Sequence, residues 1–512
     1  MRRARVAQSE GSAPAPREAR LLASAALLQQ VAQGAGLLSL LTIVTILARR
    51  LSVAELGAYG LVGSLAGYLL VLRNSVASST VRALAGAVDR EERRLVFAAA
   101  VPLYVTAGIG TGVLIGGAGL LIAGLILDGE LADHARLGAL GLGAVTAAGI
   151  TATAWLDGLR GERQFVRAAC IEIAAASLYL VTMLTLVIAG AGLGALISVS
   201  GALPLFSGVL SALVARHAGL GLGVSPGAVT RARVMAIVPT AGWLVVVELC
   251  NLAMYAFSRV IIGAFRSPTA VGLFEGPVRA HNLFYALGGA LAVPVVPTAS
   301  RYVATEDESR LRELVVRGTR YTLAFFIPLC VTLIVLAGPI LDAWLGSRYS
   351  GGATALAILV SYWLLYGGLV VTPGFLVGVG LAREVARIML CVAAANLALS
   401  LSLTPELGLE GPAIGTALPF LLAFPILLRL GLRASGASLG ALARSAWAPN
   451  YTLAALLAAM LLAGRAALPM DQTAVVLGLA AGGVLAYWGV FYGLILDPEE
   501  RALVRGLLTR RA

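Results

Sequence analysis

The chain has 512 residues, of which 59% are hydrophobic and only 12% charged, and its mean hydropathy is +0.90. Soluble domains of this length do not reach such values, so the sequence predicts a polytopic membrane protein and excludes an ordinary soluble enzyme. The net charge of +12 comes from arginine alone, because the sequence contains no lysine. Since the arginines lie at the ends of apolar runs, where membrane topology places them, we expect no nucleic-acid partner.

Apolar runs of about 20 residues follow one another along the whole chain, and each is long enough to cross a bilayer. We predict an all-α fold of about 14 transmembrane helices on this basis. Their approximate limits are 21–47, 57–84, 95–126, 136–156, 166–189, 192–215, 234–260, 270–297, 321–343, 352–378, 386–404, 408–430, 449–466 and 473–496. Residues 1–20 are expected to be a disordered cytoplasmic tail, and residues 497–512 a second cytoplasmic tail.

The distribution of arginine predicts the orientation of the chain. If the N-terminus is cytoplasmic, most arginines fall in the tails and in alternate, cytoplasmic loops. The exceptions on the outer loops are Arg49, Arg50, Arg136, Arg266, Arg348 and Arg465, and those inside spans are Arg73, Arg82, Arg259 and Arg279. We therefore expect both termini to be cytoplasmic. The use of Arg without Lys, together with abundant Ala, Gly and Leu, suggests a GC-rich bacterial genome, so we expect a multi-pass protein of a bacterial cytoplasmic membrane. All hydrophilic loops are short, which leaves no room for an extramembrane catalytic domain.

An internal repeat with an offset of 215 residues divides the chain into two halves. LARRLSVAELGAY (47–59) matches IGAFRSPTAVGLF (262–274), which pairs Ser52 with Ser267 and Gly57 with Gly272. Because both halves begin on the same side, the repeat is parallel and predicts a pseudo-two-fold axis along the membrane normal. We expect two pseudo-symmetric six-helix lobes, 21–215 and 234–430, around a central cavity. Residues 216–233 would be a cytoplasmic linker, and residues 431–496 would add two C-terminal helices.

Polar side chains form stripes on spans 7 and 8 that lipid would not tolerate. Residues three or four apart share one face of a helix, and ionisable groups at bilayer depth face a partner or a hydrated cavity. The stripes consist of Glu248, Asn251, Tyr255 and Arg259 on span 7 and of Glu275, Arg279 and Asn282 on span 8. The structural alternative is that Arg279 pairs with Glu275 and Arg259 with Glu248, as links between helices.

Further polar candidates lie in the first half of the chain. Spans 1 and 2 carry Gln29, Gln33, Arg73 and, near the cytoplasmic mouth, Arg82. Glu172 stands isolated in span 5, where it carries a proton, makes a packing contact between helices or lies near the membrane interface. Gln29 and Gln33 either bind sugar hydroxyls or hydrogen-bond between helices. The three histidines are scattered, so neither a metal site nor another cofactor is expected.

Several stretches resemble the polysaccharide flippases of the multidrug/oligosaccharidyl-lipid/polysaccharide exporter superfamily. They are LARRLSVAELGAYGL after span 1, RVIIGAFRSPTAVGLFEGPVRAHNLF between spans 7 and 8, PVVPTASRYVATEDESRLRELVVRGTRYTLAFFIPL before span 9, WLGSRYSGGATALAIL before span 10 and GLEGPAIGTAL at span 12. The resemblance covers nearly the whole chain. The sequence departs from the family pattern at one point. These flippases often carry an Asp near the start of the segment that joins spans 7 and 8, and here Arg259 lies in that region.

The resemblance implies a transporter, not an enzyme, that moves a polyprenyl-diphosphate-linked glycan across the bilayer by alternating access. The diphosphate needs cationic donors, and Arg binds phosphate oxygens with two parallel hydrogen bonds. The candidate substrate-binding residues are Arg73, Arg82, Arg259, Arg279, Asn282, Asn251 and Gln33, and the candidates for ion coupling are Glu248, Glu275 and Glu172. A glycan polymerase and glycosyltransferases of the same pathway would be its partners.

Other functions stay open at this point. A lipid II flippase differs only in the glycan, whereas a drug or cation antiporter of the same superfamily typically has twelve spans and an acidic cavity. A membrane glycan polymerase or glycosyltransferase needs a large outer loop or an acidic pair near a span end. The outer loops are too short, and Asp128-Gly-Glu130 is the one acidic pair of that kind. A structural scaffold would leave the charged stripes within the spans unexplained.

Overall fold

The computed structural model describes residues 16–223, 229–230, 233–235 and 257–509, and helices make up nearly all of these residues. In the first half the helices are α1 (Pro16–Arg50), α2 (Val53–Gly86), α3 (Arg90–Ile126), α4 (Gly129–Gly161), α5 (Phe165–Ile188), α6 (Leu193–Val199) and α7 (Leu203–His217). Residues 257–265 are also helical.

The helices continue in the second half, where several are short because glycine and proline interrupt them. They are α8 (Pro268–Ala292), α9 (Val295–Ala304), α10 (Glu308–Val335), α11 (Ala337–Trp344), α12 (Ala353–Ser361), α13 (Trp363–Tyr366), α14 (Val371–Gly378), α15 (Ala382–Leu407), α16 (Glu410–Ser435), α17 (Leu439–Leu442), α18 (Ala448–Ala467), α19 (Thr473–Val490) and α20 (Pro498–Thr509). Short 3₁₀ and π-helical turns join some of them, for example the π-helical turn Ala443–Trp447 between α17 and α18.

Eleven helical segments within the described residues are long and apolar enough to cross a membrane, or twelve if the bent pair α6 and α7 forms one span. The protein is thus an all-helical, polytopic membrane protein. When the bent pair counts as one span, two of the fourteen predicted spans are missing from the twelve. The apolar part of α2 is described as the shorter segment Val53–Gly67, and residues 236–256, most of predicted span 7, lie outside the described residues.

The outward surface of these helices is strongly apolar. Leu125, Ile188 and Leu494 are 83%, 78% and 80% exposed, respectively. Exposed leucine and isoleucine in such number would be unstable in water, but they are the side chains that a bilayer solvates. The surface therefore agrees with the assignment to a membrane.

The chain divides into two compact units. Unit 1 comprises residues 1–44, 69–117 and 137–241, and unit 2 comprises residues 45–68, 118–136 and 242–512. In unit 1, Phe97, Tyr104 and Leu159 form the centre of a buried apolar cluster. In unit 2, Trp363 packs against Phe326 with ring centroids 5.0 Å apart, and Tyr362 stacks on Phe420 with centroids 4.9 Å apart. Each unit thus has a core of its own.

Two helices that start in unit 2, α2 and α8, begin in the same way. The hydroxyl of Ser52 accepts a hydrogen bond from the Glu55 amide, and the Glu55 carboxylate accepts one from the Ser52 amide, 2.7 Å away. In α8 the Ser267 hydroxyl likewise accepts from the Ala270 amide. Serine suits both positions because its side chain replaces the missing helical acceptor. Both caps lie at positions that the sequence repeat pairs.

Paired glycines bring the first turns of these two helices into reciprocal contact within unit 2. A Cβ atom on Gly57 would lie 2.9 Å from the amide nitrogen of Gly272 and would also overlap Pro268. A Cβ atom on Gly272 would lie 2.9 Å from the carbonyl carbon of Val53. Since no real side chain tolerates such distances, both positions require glycine. At an offset of 215, Val53 pairs with Pro268, so the two contacts are equivalent.

The helix α10 begins at a charged cap outside the membrane spans. The Asp307 carboxylate accepts hydrogen bonds from the Ser309 hydroxyl at 2.8 Å and from the Arg310 amide at 3.1 Å. These two bonds, that of the Ser309 hydroxyl above all, hold the pKa of Asp307 below its usual value. An ionised Asp307 therefore stabilises this helix end.

Candidate functional site

A network of charged side chains lies inside unit 1, and we call it the Asp157 cluster (Gln29, Arg73, Tyr104, Asp157, Arg160 and Glu172). Asp157, on α4, is 1% exposed and accepts a hydrogen bond from an Nη atom of Arg73 at 2.7 Å. Arg73, on α2, also donates from Nε to the Thr153 hydroxyl at 3.2 Å. The Tyr104 hydroxyl, on α3, donates to Asp157 at 2.9 Å. Three helices thus meet at one buried carboxylate.

The same cluster extends to α5 through a second arginine. Arg160 lies one turn after Asp157 on α4 and binds its other oxygen at 3.1 Å. Through its second Nη atom it reaches Glu172 at 2.7 Å, and Gln29 of α1 donates to Glu172 at 3.0 Å. Two arginines and two carboxylates give this cluster no net charge. Glu172, isolated in the sequence, is therefore paired in the structure.

A second, tighter network lies inside unit 2, and we call it the Glu275 cluster (Arg259, Glu275 and Arg279). Glu275, on α8, is fully buried and forms ion pairs with Arg259 through Nε and one Nη atom. Arg279 lies one turn further along α8 and donates from Nε to Oε2 of Glu275 at 3.1 Å, the oxygen that the Nη atom of Arg259 also contacts. Arg259 is 2% exposed and Arg279 is 11% exposed. Two arginines share one carboxylate, which leaves a formal charge of +1 on these three side chains.

Space for the Glu275 carboxylate comes from a glycine on α2. A Cβ atom on Gly60 would lie 3.1 Å from Cγ of Glu275 and would overlap its carboxylate. Any larger residue at position 60 would push the carboxylate away from the two guanidinium groups. Gly60 therefore provides the space that the Glu275 carboxylate occupies.

The other predicted site residues are more scattered. Asn282 is half-buried on α8, one turn after Arg279, whereas Gln33 on α1 and Arg82 on α2 are exposed. Glu248 and Asn251 lie outside the described residues. Arg279 pairs with Glu275, as in the structural alternative, and the carboxylate that Arg259 binds within the described residues is also Glu275. The alternative pairing of Arg259 with Glu248 involves a residue outside the described ranges. Within the same residues, no group of three or more His, Cys, Asp or Glu side chains could hold a metal ion.

Sequence reasoning missed Asp157, Arg160 and Tyr104. The predicted span 4 ends at residue 156, but α4 continues to Gly161, so Asp157 and Arg160 lie on a membrane helix and not in a loop. The available signal was their spacing of three residues, which places an acid and a base on the same face of a helix. Tyr104 gave no comparable signal, since a lone tyrosine in an apolar run is ordinary.

The two clusters differ in what they can do chemically. The Asp157 cluster is neutral and cross-links helices, which suits a structural or gating role. In the Glu275 cluster, the terminal nitrogens of Arg279 have no hydrogen-bond partner among the described residues, and part of the side chain is exposed. A guanidinium held at Nε still presents its two Nη groups in a fixed fork, which is the arrangement that binds phosphate oxygens.

The structure defines an all-helical, polytopic membrane protein, and solved membrane transporters share its fold. The structure matches the inward-facing conformation of a multidrug resistance MATE family transporter with a TM-score of 0.67 and 17% identity over 80% of this chain and 98% of that one. It matches the inward closed conformation of the lipid II flippase MurJ with a TM-score of 0.67 and 14% identity over 91% of this chain and 99% of that one. At these identities the likeness concerns the fold.

The sequence places the chain in a particular family. Residues 46–353 match the family model described as "Polysaccharide biosynthesis protein", and the chain belongs to this family. It is 28% identical over 274 residues to the probable flippase AglR of the archaeon Haloferax volcanii. These aligned residues cover 51% of this chain and 54% of the relative. The chain thus spans about half the length of that relative. The name of the relative agrees with the prediction of a transporter instead of an enzyme.

Proposed function

We propose that the protein flips a polyprenyl-diphosphate-linked oligosaccharide from the cytoplasmic to the outer face of the cell membrane, for surface polysaccharide biosynthesis. The single observation that carries the proposal is the Glu275 cluster, in which two arginines share one carboxylate inside a membrane protein. Family membership and the likeness to a probable flippase support the same function. A glycan polymerase and glycosyltransferases of the pathway would work with it.

The chemistry of the substrate explains why an excess of arginine is useful. A diphosphate is a compact polyanion that has to cross about 30 Å of hydrocarbon. It crosses only if cationic donors replace part of its hydration shell. Arg279 offers for this role its two Nη groups, which have no partner in the part of the chain that the structure describes, and Arg259 keeps the Glu275 carboxylate in place. Arg73, Arg82, Asn251, Asn282 and Gln33 would contribute further contacts along the route.

The architecture that we propose for this transport has 14 spans and two pseudo-symmetric six-helix lobes around a central cavity, with both termini in the cytoplasm. The reciprocal contacts of Gly57 and Gly272 and the matching serine caps support the repeat on which this architecture depends. A pseudo-two-fold axis brings equivalent residues of two repeats together only where they lie close to it. The lobes would rock about this region during alternating access.

Coupling to an ion gradient would use an acidic side chain that the aqueous phase can reach. Glu275 is fully buried between two arginines, whereas Glu172 is 25% exposed and forms one ion pair. We therefore favour Glu172 over Glu275 as the coupling residue, and Glu248 remains a further candidate. Neutralising Glu172 to Gln should reduce the dependence of transport on a proton or sodium gradient while leaving downhill flipping in place.

The experiment that tests the function measures flipping of a fluorescent undecaprenyl-diphosphate oligosaccharide in proteoliposomes. We expect transport by the wild type and its loss in Arg279→Ala, with normal folding. Arg317→Ala is the matched control, because Arg317 lies on α10 of the same unit, is 48% exposed and pairs with Glu313 one turn away. Wild-type protein that accumulates a cationic dye against a proton gradient and does not flip the glycolipid would make the antiporter function correct instead.

A parallel reaction with lipid II tests the second candidate function, which is transport of lipid II. Faster flipping of lipid II than of the oligosaccharide lipid would assign the protein to peptidoglycan synthesis. The role of Arg279 would be the same in both cases, because the two lipids share the diphosphate.

A further inference from the structure

A cavity of about 800 Å³ opens in unit 1, outside the Asp157 cluster. The first turns of α3, the last turn of α7 and the glycine-rich segment after α7 line it. This segment belongs to the stretch 216–233 that the sequence predicts as a cytoplasmic linker. The volume lies within the range of small-molecule sites, which is roughly 300–1,000 Å³.

The polar lining of this cavity is mainly cationic. Arg90, Arg94 and Arg216 contribute three positive charges and Glu91 one negative charge, which gives a formal charge of +2. Arg94 and Glu91 are only loosely paired, at 3.9 Å, and both are more than half exposed. Arg216 has no ion-pair or hydrogen-bond partner within the described residues. Two guanidinium groups that line the cavity are thus available to a ligand.

The wall of the cavity is held in place by the core of unit 1. Gly219 and Gly221 have φ angles of +59° and +72°, a conformation that only glycine adopts readily. These turns direct the Leu222 side chain into the buried cluster around Phe97, where it is 8% exposed. The Leu222 carbonyl accepts a hydrogen bond from the Trp155 indole at 3.1 Å. The cavity is therefore preformed and does not depend on its ligand for shape.

Arg90 connects this wall to α3, because one of its Nη atoms donates to the carbonyl of Gly219. Arginines on a membrane surface are common, since topology alone places them on the cytoplasmic side. Arg90, Arg94 and Arg216 differ from other surface arginines because they line one preformed cavity, whose wall also includes Trp155 and Leu222. Such a combination of a cationic rim and an apolar wall fits a ligand with an anionic head and an apolar part.

We propose that this cavity binds a phosphate group, held between Arg94 and Arg216, of which an anionic phospholipid headgroup is the expected source. Guanidinium groups bind phosphate with paired hydrogen bonds, and basic pockets at the cytoplasmic surface attract anionic lipids. None of the residues proposed to contact the transported glycan lipid lines this cavity, and the proposal does not depend on which glycan is carried. A free phosphate or diphosphate offers the same oxygen atoms and is the second source to be tested.

The test counts bound ligands by native mass spectrometry on the full-length protein released from detergent. We expect one phosphatidylglycerol molecule to bind preferentially over phosphatidylcholine, and the affinity to fall about tenfold or more in Arg94→Ala/Arg216→Ala. The matched control is Arg167→Ala, since Arg167 is exposed in the same unit at the start of α5 and does not line the cavity.

A second arm adds inorganic pyrophosphate without lipid. If pyrophosphate binds, phosphatidylglycerol does not, and the double variant abolishes the binding of pyrophosphate, the phosphate site is supported and its natural ligand is a soluble phosphate. If pyrophosphate is inert and phosphatidylglycerol binds, the lipid headgroup is the ligand. Equal loss in Arg167→Ala, or equal binding of phosphatidylglycerol and phosphatidylcholine, would show general surface attraction and would overturn the proposal. Thermal unfolding of each variant confirms that the comparison concerns folded protein.

Discussion

Replacing Glu275 by Gln should destabilise the protein strongly, because it removes the one described carboxylate that Arg259 and Arg279 share. The substitution preserves shape, so its effect isolates the charge. Arg259 is 2% exposed and cannot recover its hydration without a rearrangement of unit 2. Removing one partner of a buried ion pair costs about 3–5 kcal/mol, and we expect a loss of this size in the free energy of unfolding.

The measurement is reversible unfolding in mixed micelles of dodecyl maltoside and dodecyl sulfate, followed by tryptophan fluorescence. The matched control is Glu313→Gln, which breaks an exposed pair with Arg317 at the same i,i+4 spacing as the Glu275–Arg279 pair. Exposed helical pairs contribute about 0.3–0.5 kcal/mol. If the two variants lost similar stability, Glu275 would not compensate the buried arginines, and the reasoning about this cluster would be refuted.

Three further predictions follow from the same contacts. Gly60→Ala should destabilise the protein by about 1–3 kcal/mol in the same unfolding assay, because the added methyl group overpacks against Glu275. Gly67→Ala is its control, since an added Cβ atom there would meet no atom within 4 Å. This control should be neutral or should stabilise α2 by about 0.5–1 kcal/mol. Asp157→Asn should cost about 1–3 kcal/mol, because Arg73 and Arg160 lose a shared counter-charge; an unchanged midpoint would contradict this. Because the pKa of Asp307 is lowered, its stabilisation is present above the unfolded-state pKa and disappears as pH falls through the folded-state pKa. The protection factors of the amides in the first turn of α10, which are exchange rates corrected for the intrinsic effect of pH, should therefore fall at acid pH in the wild type and lose this pH dependence in Asp307→Ala.

Much of the fold was predictable because a bilayer imposes strict conditions on a sequence. Helices that cross it need long apolar runs, and these runs are visible without any structural knowledge. The boundaries were less certain, since charged residues can lie on the last turn of a membrane helix. Span 4 shows this well, because α4 extends beyond residue 156 and carries Asp157 and Arg160 inside the protein. Breaks such as that between α6 and α7 were also not apparent from hydropathy.

The candidate site was predictable only where its residues share a helix. Glu275 and Arg279 are four residues apart on α8, so their pairing follows from helical geometry. Arg73 has no acid at helical spacing, and its partner Asp157 lies 84 residues further along the chain. Such a contact depends on how α2 and α4 pack, which a single sequence does not contain. The same limit explains why Glu172 is isolated in the sequence although Arg160 and Gln29 lie beside it in the fold.

The proposed repeat suggests why the charged residues of the Glu275 cluster have uncharged counterparts in the first half of the chain. At an offset of 215, Glu275 pairs with Gly60, Arg279 with Ser64 and Arg259 with Val44. The contact between Gly60 and Glu275 joins two such equivalent positions, so a glutamate at both would bring two carboxylates together at one buried point. Like charges at that distance repel strongly in a low-dielectric interior. On the repeat that we propose, the first half supplies the space at this point and the second half supplies the charge.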